Sequence, residues 1–134
     1  MSDTYRNLIG GEWVDARSGA TFTSVSPANH DDVVGEFPAS GPADVDAAVE
    51  AARRAFPAWS LMPAPKRGEI LFRIARLLAE HKEELAKLMT REMGKVLPEA
   101  RGDVQEGIDI AFLMAGEGRR MFGDTVPSEL PDKW

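Results

Sequence analysis

The sequence predicts an α+β segment in which short strands and a hairpin come first and about four helices follow. In the first forty residues, short apolar stretches alternate with the turn formers Gly, Pro, Asn and Asp. After that point, apolar side chains recur at the spacing of an amphipathic helix. We therefore divide the chain into a strand-rich part, 1–40, a helical part, 41–123, and a polar, proline-rich connection, 124–134.

The strand-rich part is predicted to begin with a β-hairpin. Residues 5–9 and 12–15 are strand-like and flank Gly10 and Gly11, a pair that can adopt the positive φ angles of a two-residue turn.

Two further strands are predicted at residues 21–26 and 33–37. The intervening segment, 27–32, contains Pro, Asn and Asp, which favour turns through a fixed φ or through side-chain bonds to the backbone.

The helical part is predicted to contain four helices. The first begins at Pro42 and ends near Pro57, the second begins around Pro65, the third ends at Gly94, and the fourth spans 98–122. The apolar stripe of the first helix consists of Val45, Val49, Ala52, Phe56 and Trp59.

The fourth helix is apolar over so wide a surface that we expect it to be covered on more than one side. One stripe contains Val104, Ile108, Ala111, Ala115 and Phe122, and another contains Ile110, Leu113 and Met114. Its interior glycines each cost about 1 kcal/mol relative to Ala, which predicts close helix packing in preference to a ligand contact. These glycines are Gly102, Gly107, Gly116 and Gly118.

Composition excludes several classes of function. The net charge of −6 argues against a nucleic-acid partner. No apolar run approaches the roughly 20 residues of a membrane span, and the chain does not begin like a signal peptide, so we expect a cytoplasmic protein. The absence of cysteine excludes a thiol nucleophile or a thiolate metal site within these 134 residues. No glycine pattern suited to a dinucleotide phosphate follows a strand and opens a helix.

Several short strings, in their order and spacing, resemble the amino-terminal segment of the aldehyde dehydrogenase superfamily. The strings are Leu8-Ile9-Gly10-Gly11-Glu12-Trp13-Val14, Ser26-Pro27-Ala28-Asn29, Asp44-Val45-Asp46-Ala47-Ala48-Val49, Glu92-Met93-Gly94-Lys95 and Glu99-Ala100-Arg101-Gly102-Asp103-Val104. The resemblance implies part of a larger doubly wound α/β fold, covering roughly the first quarter to third of a typical member. It also implies that 1–40 carries a hairpin of the oligomerisation region and that 41–123 supplies helices of the cofactor-binding domain.

The resemblance implies an oxidoreductase that uses NAD or NADP to oxidise an aldehyde or semialdehyde, as a homo-oligomer, through a cysteine thioester. The nucleophile, the general base and the nucleotide loops of that family lie further along the chain. We therefore expect 124–134 to be a truncated connection, and this chain alone to bind no cofactor and to be inactive.

Two sites are carried over from the family. The first is a site for a structural monovalent cation, whose ligands would be the backbone carbonyls of Ser24 and Val25 and the side chain of Asp103. For Asp103, an acid on the helix surface without a ligand is the equally weighted alternative. Met114 and Gly118 correspond to the wall of the substrate tunnel, with core packing as the alternative.

Two other functions remain open on the residues alone. One is a non-catalytic helical domain that binds a protein partner through its surplus apolar surface. The other is a regulator that joins oligomers of a full-length dehydrogenase. The coding sequence after Trp134 discriminates among these hypotheses.

Overall fold

The computed structural model describes residues 4–120, 122 and 123. In chain order its elements are β1 (Asn7–Ile9), β2 (Glu12–Val14), β3 (Thr21–Ser26), β4 (Asn29–Pro38), α1 (Pro42–Leu61), α2 (Ala64–Glu80), α3 (Lys82–Met93) and α4 (Leu97–Glu117). The described strands form two antiparallel pairs, β1–β2 and β3–β4. The predicted order, strands first and four helices after, is confirmed, whereas the predicted connection 124–134 lies outside the described residues.

The hairpin β1–β2 forms as predicted. Gly10 and Gly11 have φ angles of 63° and 90°, the left-handed region that a two-residue turn of this kind requires. Leu8 pairs with Trp13 in the ladder, but the two side chains remain 58% and 64% exposed. The turn therefore determines the hairpin locally, with little burial to support it.

Strand β4 is longer than predicted, and the turn predicted over 27–32 is confirmed only in part: it is confined to Pro27 and Ala28, and Oδ1 of Asn29 accepts the N–H of Asp31 at 3.2 Å. The chain reverses at Pro27 and Ala28, and β4 already begins at Asn29. Arg91 of α3 donates to the carboxylate of Asp32 at 2.7 Å and to the backbone oxygen of Val33 at 2.5 Å. Because this contact joins residues 59 positions apart in sequence, local turn propensity could not predict that the segment is tied to α3.

Helix α1 begins at Pro42, as predicted, but it continues through Pro57 to Leu61. The predicted end at Pro57 is wrong because a proline φ is itself helical, so the ring costs a hydrogen bond without dictating where the helix stops. The predicted apolar stripe is exposed over the described part of the molecule. Its members are Val45, Val49, Ala52, Phe56 and Trp59.

The core lies where α4 packs against α3 and α2. Ala86, Ala100, Val104 and Ile108 are buried there, and Leu78, Leu85, Met89 and Leu97 pack around them. Gly68 of α2 lies directly against the backbone carbonyl of Ala115, so no side chain fits between the helices at this point. The rings of Phe72 in α2 and Phe112 in α4 also pack against each other, and their centroids are 6.2 Å apart.

Helix α4 ends at Glu117, not at residue 122, and Phe122 is 89% exposed outside it. The N–H of Arg119 bonds instead to the carbonyl of Gly116, a tighter turn that ends the α-helical ladder.

Close packing at the glycines of α4 is only partly confirmed. A Cβ at Gly118 would stand 2.5 Å from the carbonyl oxygen of Ala64, whereas Gly102, Gly107 and Gly116 have no such neighbour within 4 Å. Sequence reasoning therefore predicted helix packing correctly at Gly118 but overlooked Gly68 on the partner helix.

Candidate functional site

The region that contains the predicted cation ligands is a junction of three segments: the β3–β4 turn, the loop 94–96 and the first half of α4. Gly94 ends α3 with a φ of 78°, and its N–H bonds to the carbonyl of Thr90 at 2.9 Å. A Cβ at Gly94 would stand 3.0 Å from Cγ of Pro27. The loop thus turns sharply against the β3–β4 turn before α4 begins.

Ser24 and Val25 lie at an irregular point of this sheet. Ser24 pairs with Gly35 and Val25 with Val33, so β4 has one extra residue, Val34, at this step. Such a bulge disrupts the ladder locally.

The carboxylate of Asp103 is already paired. Nζ of Lys95, in the loop before α4, donates to Oδ2 of Asp103. Among the residues that the structure describes, no group of three or more His, Cys, Asp or Glu side chains could hold a metal ion. The assignment of Ser24, Val25 and Asp103 to one cation site stays a prediction.

Asp103 also borders an open groove of about 690 Å³ between α3 and α4. Its walls are mainly apolar and include Leu85, Leu88 and Met89, with Glu92 as a second acid. Met114 and Gly118, the predicted tunnel residues, do not line this groove. Met114 is exposed on α4, whereas Gly118 packs against the start of α2. Their role in a substrate tunnel stays a prediction.

The described strand-to-helix turn, which leads from β4 into α1, is unsuited to a dinucleotide phosphate. Asp44 places a carboxylate at the start of α1. Its two oxygens accept hydrogen bonds from the backbone N–H groups of Arg17 and Gly41, each with an N···O distance of 2.9 Å. These two bonds, that of Gly41 first, hold the pKa of the Asp44 carboxyl below its usual value. Because an anion is already bound to the turn, it offers no cradle for a second one.

Lys95, Arg91 and Asp44 are the polar groups that sequence reasoning underestimated. The pairing of Lys95 with Asp103 spans a loop and follows no helical period, so sequence spacing does not predict it. The bidentate Arg91 pair lowers the pKa of Asp32 and joins α3 to β4. None of the helices in the described part of the chain combines the length and apolar character needed to cross a membrane.

Comparisons of sequence show close similarity to dehydrogenases. A model of the aldehyde dehydrogenase family matches residues 13–134. The alpha-ketoglutaric semialdehyde dehydrogenase of Bacillus subtilis is 44% identical over 126 residues, which is 94% of this chain and 26% of that protein. The NADP(+) succinate-semialdehyde dehydrogenase GabD of Escherichia coli is 42% identical over the same shares.

Solved structures show the same similarity to aldehyde dehydrogenases. The NAD-dependent aldehyde dehydrogenase from Sinorhizobium meliloti superposes with a TM-score of 0.86 at 37% identity, over 92% of this chain and 25% of its own. An NADP-dependent enzyme of Escherichia coli gives 0.87 at 40% identity, over 96% and 27%. This chain spans about a quarter of the length of these relatives. The matches cover nearly all of this chain, and the chain belongs to the aldehyde dehydrogenase family.

Proposed function

We propose that this chain is the amino-terminal segment of an NAD(P)-dependent aldehyde dehydrogenase that oxidises a semialdehyde to the carboxylic acid. The observation that supports the proposal is one of coverage. Nearly the whole chain superposes on solved dehydrogenases, yet it accounts for about a quarter of each of them. Relatives that act on alpha-ketoglutaric, succinate and malonate semialdehydes support the substrate class.

The chemistry belongs to residues beyond this segment. In the complete enzyme a cysteine thiolate would bind the aldehyde carbon as a thioester, bound nicotinamide would accept the hydride released from that carbon, and water would release the acid and the thiolate. The 134 residues contain no cysteine, and Asp44 occupies the strand-to-helix turn where a phosphate would need free N–H groups.

The contribution of this segment is then structural. Residues 1–40 supply a hairpin for contacts between the subunits of a cytoplasmic homo-oligomer, and 41–123 supply helices that flank the cofactor-binding sheet. The exposed apolar side chains of α4 are covered by the remainder of the enzyme, with Met114 and Gly118 near the substrate path. These side chains include Ile110, Leu113 and Met114.

An activity measurement tests the proposal on the purified chain. We expect no absorbance of reduced nicotinamide at 340 nm with succinate semialdehyde and either NAD or NADP, because nucleophile and nucleotide loop are missing. Turnover that persists in preparations free of host dehydrogenases would contradict it.

The exposed face of α4 also favours a second candidate, a non-catalytic protein-binding domain. The reading frame after Trp134 distinguishes the two. Further strands, a Trp-Asn-Phe-Pro-like stretch and a downstream cysteine would establish the enzyme segment, whereas a stop codon would establish the binding domain or the oligomer regulator.

A further inference from the structure

The pair formed by Lys95 and Asp103 joins a loop to a helix. Lys95 follows Gly94, which has a left-handed φ of 78° and lies against Pro27 of the β3–β4 turn. Asp103 lies in α4, which is anchored by the buried side chains of Ala100 and Val104 on either side of it in sequence. The pair therefore connects the loop after α3 to a part of α4 that is anchored in the core.

The lysine is the more buried partner of this pair. Its side chain is 21% exposed, compared with 43% for Asp103. A partly buried ammonium needs an acceptor, because burying a charge without one is costly. Nζ finds that acceptor in Oδ2 of Asp103, so the position of the positive charge is defined by the fold.

A monovalent metal ion at Asp103 is incompatible with this arrangement. The ammonium has three donors and no acceptor, so it cannot become a ligand itself. A metal ion bound to the same carboxylate would lie within a few ångströms of Nζ, where two positive charges repel each other. The donor set that the resemblance implies, Ser24, Val25 and Asp103, therefore does not fit a metal ion while Lys95 is in place.

We propose that the ammonium of Lys95 is the resident cation of Asp103 in this chain and replaces a structural monovalent metal ion. It connects the loop that packs on Pro27 to helix α4, so it links the β3–β4 sheet to the helical core without a bound ion. The fold is then insensitive to whether potassium, sodium or a large organic cation is present.

Thermal unfolding of the 134-residue chain, followed by circular dichroism, tests this. The midpoint is measured in potassium, sodium and choline chloride at one ionic strength, for the parent chain, Lys95→Met, Asp103→Asn and the double variant. We expect equal midpoints for the parent in all three salts. Each single variant should lose about 2–4 °C, and the double variant should lose no more than the larger single loss, since both remove one pair.

Lys82→Met is the matched control. Lys82 lies in α3 and joins that helix to α4, but it donates to the neutral amide oxygen of Gln105 at 2.8 Å. Its effect should add to that of Asp103→Asn. A parent midpoint that is higher in potassium or sodium than in choline, with the difference abolished by Asp103→Asn, would overturn the proposal. Additive losses from Lys95→Met and Asp103→Asn would overturn it as well.

Discussion

The hairpin β1–β2 and the helix pair α3–α4 both adopt the conformation that their local sequence predicts, but only the helix pair has a core. In the hairpin, Leu8 remains 58% exposed, whereas Ile108 of α4 is 4% exposed. Turn residues and helical periodicity act over a few residues, and burial requires a second element to pack against. A segment can therefore adopt its predicted local conformation without contributing much to the stability of the fold.

The largest expected effect distinguishes these two regions directly. Ile108→Ala should lower the free energy of unfolding by about 2–5 kcal/mol, because it leaves a cavity among Ala86, Ala100 and Val104. Leu8→Ala should change it by about 0.5 kcal/mol or less, since that side chain is already largely hydrated. Urea unfolding of both variants measures the difference, and equal losses would show that the hairpin carries as much stability as the helices.

A smaller loss of stability is expected where the backbones of α2 and α4 come into direct contact at Gly68. Gly68→Ala places a methyl group against the carbonyl of Ala115, and pushing α2 from α4 should cost about 1–3 kcal/mol. Gly107→Ala is the matched control, because nothing lies within 4 Å of its added Cβ. It should stabilise α4 by about 0.5–1 kcal/mol through helix propensity. If both substitutions stabilise the chain in thermal melts, α2 and α4 are not in close contact.

The smallest change in stability is expected at Asp44, which joins the start of α1 to Arg17 in the strand-rich part, and this change depends on pH. Asp44 is 6% exposed, and its folded-state pKa is lowered by hydrogen bonds from Gly41 and Arg17. A lowered pKa means that this stabilisation is present above the unfolded-state pKa of about 4 and is lost as the pH falls through the folded value.

Asp44→Asn should therefore destabilise the chain at pH 7, and its deficit relative to the parent should shrink as the pH falls below about 4. Unfolding midpoints between pH 3 and 7 measure this. Asp46→Asn, on the exposed side of the same helix, serves as the control for removing one carboxylate from α1. A deficit for Asp44→Asn that is constant across the range would mean that the carboxylate charge is unimportant there.

Prediction from sequence succeeded at the elements with a local physical cause. The Gly10-Gly11 turn, the Pro42 helix start and the left-handed Gly94 follow from backbone sterics within a few residues. Prediction was less successful at the site. The expected ligands Ser24, Val25 and Asp103 come from the resemblance, and the pairing of Asp103 with Lys95 depends on how the loop after α3 turns against Pro27.

By itself, the sequence determined the order of strands and helices, the absence of a thiol nucleophile and the family resemblance, because these depend on residue identity and short-range spacing. Tertiary structure decided the rest. Arg91 binds Asp32 of β4 across 59 residues of sequence, and Gly68 allows α2 to approach α4. The apolar stripe of α1 is exposed within the described residues. An apolar periodicity predicts which face of a helix can be buried, but not whether another element covers it.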